Sequence, residues 1–192
     1  MVELLQIMET RRSVRRYREE AVPHSVLEEL MEATCWAPSA HNAQPWYFVA
    51  LTKPEDMQLL WETMERVSED IRPHLEKVFP RHPHVVGETT AFLRHLGGAP
   101  VCILAFLQKD YGDTRDFMVE STAAAIQNLL LAAHEKGLGT CWVNAATGLG
   151  YKTALQEAFA PGKGEFLSLI ALGYPEHTSK SPARKPDRWV IR

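Results

Sequence analysis

Helical and extended apolar patterns alternate along the chain, which predicts an α/β or α+β fold with one sheet flanked by helices. Two observations carry this. Apolar runs at 46–51, 101–107, 140–143 and 166–172 have the length of buried strands. Between them lie segments whose apolar residues recur at three- and four-residue spacing. A third observation bounds the architecture: no internal repeat or low-complexity tract divides the 192 residues, 45% of them hydrophobic. One domain over 1–192 is expected, burying about 70% of its unfolded surface.

The elements follow in order. Leu4, Leu5 and Met8 have helical spacing, and this short helix ends at the basic segment Arg11-Arg12-Ser13-Val14-Arg15. Pro23 opens a second helix with Val26, Leu27, Leu30, Met31 and Thr34 on one face, since Pro is tolerated in a first turn. Trp46 to Leu51 reads as a buried strand, and Pro54 starts a helix through Leu59, Leu60 and Met64. From Arg72 to Leu96, Pro73, Pro80 and Pro83 break any long element, and an irregular segment over a pocket is expected. Pro100 introduces the strand Val101 to Leu107. Arg115 to Lys136 is an Ala- and Leu-rich helix, apolar on several faces and therefore central; Gly137 and Gly139 end it. The strand Thr140 to Val143, a short helix marked by Leu155 and Phe159, and a core strand Phe166 to Leu172 complete the fold. The tail from His177 is polar and Pro-broken until Trp189-Val190-Ile191, which must pack on something, a neighbouring subunit being one candidate.

A net charge of −3 and a pI near 6.2 argue against a general nucleic-acid binder. Ten of the 21 Lys and Arg residues lie in 11–18 and 180–192. Basic arms for nucleic acid are one reading of that distribution. The compact spacing beside apolar elements favours the other, in which both ends fold back onto one anionic ligand. Cys35, Cys102 and Cys141 are odd in number and form no Cys-x-x-Cys pair, which indicates a reducing compartment without disulfides or thiolate metal sites. Glu3, Gln6 and Glu9 interrupt any signal-peptide core, and the apolar run Ser121 to Ala133 is too short for a membrane span. A soluble, cytoplasmic protein without membrane or nucleic-acid partners is expected.

Two segments carry the chemistry. In Arg11 to Arg15, guanidiniums offer planar forks of donors matched to phosphate oxygens, and Ser13 adds a hydroxyl. A solvated inter-helix loop accounts for the same residues. In Ala37-Pro38-Ser39-Ala40-His41-Asn42-Ala43-Gln44-Pro45-Trp46, Asn42 and Gln44 each present donor and acceptor, as a planar hydrogen-bonding heterocycle demands. Turn chemistry explains Pro, Ser and Asn there, but not a dense polar loop feeding directly into an apolar strand. Gly137-Leu138-Gly139 follows a helix and lacks a third glycine, so it is a helix cap and not a dinucleotide fingerprint. His74, His82 and His84 have no completing Cys or carboxylate pattern, so no metal site is assigned. No serine has a nucleophile-elbow context, and Cys141 sits in an apolar strand.

These segments, together with Ala124 to Ala133 leading into Gly137-Leu138-Gly139-Thr140-Cys141-Trp142, Gly98-Ala99-Pro100 and Arg184-Lys185-Pro186, resemble the FMN-dependent nitroreductase family in order from near residue 9 to the C-terminus. The resemblance implies an α+β fold with a mixed central sheet enclosed by helices, and a homodimer whose tails reach the partner subunit and whose flavin sites lie at the interface. It implies that Arg11, Arg12, Ser13 and Arg15 hold phosphate, ribityl and ring. Pro38, Ser39, Ala40 and Asn42 would come from the other subunit, Trp142, Val143 and Asn144 would lie along the isoalloxazine, and Arg184 and Lys185 would complete the phosphate clamp. The implied activity is ping-pong reduction of a nitroaromatic, quinone or similar small electron acceptor by NADH or NADPH through FMN, with no catalytic side chain assigned. Dehalogenation, enone reduction, flavin fragmentation and non-catalytic flavin binding share the same motifs. Many members carry Glu and Gly where this chain has Asn144 and Ala145, and 65–97, where the family builds its substrate pocket, departs from the pattern.

Overall fold

The computed structural model describes residues 3–108, 114–177 and 183–192. The helices are α1 (Leu4–Thr10), α2 (His24–Cys35), α3 (Pro54–Val78), α4 (Pro83–His95), α5 (Arg115–Glu135), α6 (Ala145–Gly148) and α7 (Lys152–Phe159). The strands are β1 (Trp46–Leu51), β2 (Val101–Leu107), β3 (Gly139–Val143) and β4 (Glu165–Gly173), arranged β1-β2-β4-β3. All three strand pairs are antiparallel. The α+β class is as expected, and the mixed character of the sheet reduces to one parallel bridge, Ser13 to Thr140, on the outer edge of β3.

Both faces of the sheet are covered, and strand alternation sorts the side chains between them. Cys102, Leu104 and Phe106 of β2 join the cluster under α3 and α4, with Met64, Val67, Phe92 and Leu93. Val101, Ile103 and Ala105 join the cluster under α2 and α5, with Leu27, Leu30, Ile126 and Leu129. All seven β2 residues are buried, which explains an apolar run without polar alternation. Between Ala105 and Phe106 of β2 the register against β4 slips, leaving Leu167 of β4 as an extra residue. That bulge resets the alternation, so Phe166 and Leu169 face the same cluster. Thr147 at α6 donates to the Leu167 carbonyl at 2.7 Å.

Burial on several sides makes α5 the central helix: Met118, Thr122, Ala125, Ile126, Leu129 and Ala133 are all enclosed. It ends as its sequence dictates. Gly137 adopts φ +76°, Leu138 N–H donates to Ala133 O at 2.9 Å and Gly137 N–H to His134 O at 3.0 Å.

The expectation of irregular chain across 72–96 is corrected. α3 runs 25 residues straight through Pro73, and α4 follows after a short turn. Pro73 is exposed, so the helix carbonyl it leaves without a partner faces water, while Met57, Leu60, Met64, Val67 and Leu75 anchor α3 on both sides of it. Pro83 occupies the first turn of α4, where a missing N–H costs nothing. Ser68 donates to Thr90 O at 2.9 Å and Arg72 to Thr90 Oγ1 at 3.2 Å, binding the two helices together.

Residues 183–192 lie outside any helix or strand, and Trp189, Val190 and Ile191 are at least 71% exposed. The tail residues 178–182 lie outside the described residues. Among the described residues, no helix is long and apolar enough to cross a membrane.

Candidate functional site

The basic segment leaves α1 at Thr10 and runs along the outer edge of β3. It is fixed at three places. Val14 N–H donates to Thr140 O at 2.9 Å, Tyr17 N–H to Gly97 O at 3.1 Å, and Arg18 N–H to Tyr174 O at 2.9 Å. Tyr17 is buried, and its hydroxyl lies 2.8 Å from Val14 O and 3.2 Å from Ala171 O. Burial pushes the Tyr17 phenol far above its ordinary value, so it stays a donor. Gly139 lets the loop approach: a Cβ there would lie 2.6 Å from Val14 Cγ2.

Because N–H and C=O groups alternate sides along a strand, the bridge at Thr140 fixes which groups face outward. Two residues on, the backbone of Trp142 faces the same open edge; β3 ends at Val143, and the Asn144 carbonyl turns into α6, accepting from Thr147 N–H at 3.1 Å. The Trp142 side chain turns toward the α2–α5 face, whereas Cys141 and Val143 pack on the α3–α4 face. Trp142 therefore offers the edge its main chain and not its indole.

Guanidiniums gather at the start of this edge. Partial burial holds Arg11 below its ordinary value, and the charges of Arg12 and Arg184 add to that. Arg184, from the far end of the chain, thus lies within electrostatic reach of Arg11. Arg12 folds back on α1, donating to Arg11 O and, at 2.5 Å, to Glu9 O. That places a cation on the carbonyl end of the helix, where the dipole favours it. Among the described residues, no carboxylate forms an ion pair with Arg11, Arg15 or Arg184. Ser13 and Lys185 are exposed beside this group in sequence.

Arg15 lies at the other end of the loop and lines a cavity of about 440 Å³ with Cys141, Trp142, Val143 and Asn144. The opposite wall is α4, which presents Val85, Glu88, Thr89 and Phe92. A second space of about 630 Å³ adjoins it through Arg15, Glu88 and Phe92. Burial raises the Cys141 thiol despite Arg15 and Arg11 nearby, so it remains a protonated wall residue. The sequence reading expected this segment over a pocket but named neither the helix nor its wall residues. Their signal is the spacing 85, 88, 89, 92 after Pro83, one face of a helix.

The second sequence segment sits elsewhere. Ala40 to Asn42 form a 3₁₀ turn, and Ala40 N–H donates to Ser121 Oγ of α5 at 3.1 Å. Ser39 Oγ accepts from Gln44 N–H at 3.0 Å, and Gln44 Nε2 donates to Asn42 Oδ1 at 3.1 Å. His41, Asn42 and Gln44 all have φ between 45° and 54°, a strained run that functional loops favour. Pro38 is exposed at its start. This loop precedes β1, at the opposite sheet edge from β3. Three strand spacings, about 14 Å, separate the edges, so one chain does not bring Pro38, Ser39, Ala40 and Asn42 to the arginines.

A sheet with an open, cation-flanked edge facing a two-helix wall defines a ligand-binding α+β protein. Residues 8–174 match the sequence model of the nitroreductase family, and the chain belongs to that family. A Bacillus subtilis (strain 168) protein named as an NAD(P)H nitroreductase is 28% identical over 187 residues, covering 96% of this chain and 91% of that protein. A solved Desulfovibrio desulfuricans protein, named as a nitroreductase and in complex with FMN, is 28% identical with a TM-score of 0.72, covering 97% of this chain and 94% of the other. A BluB-like flavoprotein from Clostridium difficile 630 is 27% identical with a TM-score of 0.73, covering 97% and 96%.

Proposed function

We propose that this chain is an FMN-dependent oxidoreductase that uses NADH or NADPH to reduce nitroaromatic, quinone or similar electron-poor acceptors in a ping-pong cycle. The observation that carries the reading is the gathering of Arg11, Arg12 and Arg184 at one end of the open β3 edge, with Arg15 and a cavity at the other. Guanidiniums that no carboxylate among the described residues pairs with fit a phosphate, and an unpaired strand edge fits the donors and acceptors of a flavin ring. Arg11, Arg12, Ser13, Arg184 and Lys185 would hold the phosphate end. The outward-facing main chain of Trp142 would meet the ring, with Val143 and Asn144 flanking it, and Arg15 would offset the negative charge of its reduced form. When bound, FMN supplies the redox chemistry by taking hydride from the nicotinamide and passing electrons to the acceptor. The α4 wall of Val85, Glu88, Thr89 and Phe92 would enclose the acceptor and exclude water.

The second loop belongs in this reading to a partner copy. Pro38, Ser39, Ala40 and Asn42 would reach the ring across a homodimer interface, with the partner's tail packed on the same face. The exposed apolar residues Leu4, Leu5, Met8 and Trp36 support an interface.

Non-covalent retention agrees in magnitude. About thirty heavy atoms at about 0.3 kcal/mol each give roughly 9 kcal/mol, a sub-micromolar affinity. The purified protein should carry flavin absorption near-stoichiometric with chain, bleached by NADH or NADPH under anaerobic conditions and restored by a nitroaromatic or quinone. Arg11→Ala should lose a few kcal/mol of flavin binding and purify largely flavin-free. Protein that stays colourless after incubation with excess FMN overturns the reading, and bound flavin that neither nicotinamide bleaches reduces it to a binding module.

A further inference from the structure

The C-terminal turn of α5 lies against that of α1, immediately before the basic segment. There His134 Nε2 sits 2.8 Å from Thr10 Oγ1. The Thr10 hydroxyl has one proton, and it donates this to Gln6 O at 2.6 Å. Thr10 Oγ1 is therefore the acceptor toward the imidazole, and Nε2 carries the hydrogen. Nδ1 is left as the one basic position on the ring. His134 also lines a small cavity of about 190 Å³ with Arg12, Val14, Gly139 and His177. Neither contact is used by the flavin reading above.

We infer that His134 is a positioning residue for the phosphate-binding loop and takes up a proton at Nδ1 when an anionic phosphate binds there. The inference rests on the proposed phosphate assignment of Arg11 and Arg12. Its positioning part follows from the hydrogen bond. A donor fixed on α5 holds Thr10, the last residue of α1, and so fixes the direction in which Arg11 and Arg12 leave the helix.

The proton part follows from the charges around the ring. The loop brings Arg11 and Arg12, and the segment after β4 brings His177, which approaches Glu176 at 3.7 Å. α1 brings Glu9 at its last turn. α5 itself carries Glu135 and Lys136, the latter paired with Glu29 of α2. Partial burial lowers the imidazole from its ordinary value, and Arg11 and Arg12 lower it further. A phosphate dianion set against those two guanidiniums cancels their repulsion of a third positive charge. The bound state then holds the Nδ1 proton at a higher pH than the free state does. Between the two titration points, binding draws a proton from solution, and phosphate affinity from this group grows as pH falls through that window. Above the bound-state value the contribution disappears.

The test is calorimetric titration of FMN into flavin-depleted protein at pH 7, in two buffers of different ionisation enthalpy. A phosphate monoester with its second pKa near 6 is mostly dianionic at that pH. Wild type should take up a measurable fraction of a proton per FMN. His134→Gln keeps a side-chain N–H for Thr10 but has no basic nitrogen, and it should take up none. His134→Ala loses the hydrogen bond as well and should bind FMN roughly tenfold more weakly. Riboflavin, which lacks the phosphate, should draw no proton into any variant. Equal uptake by wild type and His134→Gln overturns the proton assignment, and wild-type affinity in His134→Ala overturns the positioning role. Failure of wild type itself to bind FMN overturns the flavin reading instead, whatever His134 does.

Discussion

At the scale of single residues, the basic segment holds its course because two neighbours lack side chains. Gly139 admits Val14, and Gly97 admits the Arg15 carbonyl, which a Cβ at 97 would meet at 2.2 Å. Gly97 also has φ +67° and accepts the Tyr17 N–H. Gly97→Ala therefore combines left-handed strain with a backbone clash, and it should cost roughly 2–4 kcal/mol of stability. A urea titration followed by circular dichroism would check this, and an unchanged midpoint would show that the Arg15 turn yields easily. The residue types were legible: arginines, Ser13 and the Asn42–Gln44 pair announce themselves by what they can bond. Roles that depend on direction were not. Trp142 gives the edge its backbone because β3 alternation turns its indole to the far face, and the Thr10–His134 contact joins residues 124 apart in sequence.

At the scale of elements, the strands were read almost residue for residue. Seven buried β2 residues leave no other way to satisfy so apolar a run. The bulge at Leu167 had no signature, since an extra leucine inside an apolar strand looks like any other. The long helix α3 was missed for a physical reason. Proline penalties are rules about local backbone, and burial of five anchoring residues spread along the helix outweighs one lost hydrogen bond. Pro73 still carries that penalty. Pro73→Ala should stabilise the protein by about 1–2 kcal/mol, less than the full propensity difference because the unfolded chain gains freedom as well. Thermal unfolding would register a higher midpoint, and a lower one would mean that Pro73 shapes the α3–α4 pair. That pair forms the wall of the cavity, so the segment does lie over a pocket as expected, but as two helices rather than irregular chain.

At the scale of the whole molecule, the two polar segments singled out in the sequence stand at opposite edges of one four-stranded sheet. A single chain does not close them on one ligand, whereas the proposed homodimer would. The apolar triplet Trp189-Val190-Ile191, exposed in the isolated chain, has the composition of an anchor. Sedimentation of the purified protein should give twice the 21.7 kDa chain mass. Ending the chain after Lys185 keeps Arg184 but removes the triplet. It should weaken dimerisation by about 3 kcal/mol or more, a hundredfold or greater rise in the dissociation constant. A flavin-loaded monomer would contradict the two-chain site.

The outer margin of β3 has a further meaning for the empty protein. A strand with unpaired main-chain groups invites a second strand to zip onto it, and exposed sheet margins of this kind seed aggregation. Here the approach is lined with like-charged guanidiniums, so two such margins repel before they can pair. The charge that would draw in a phosphate would also set two such margins against each other until one arrives.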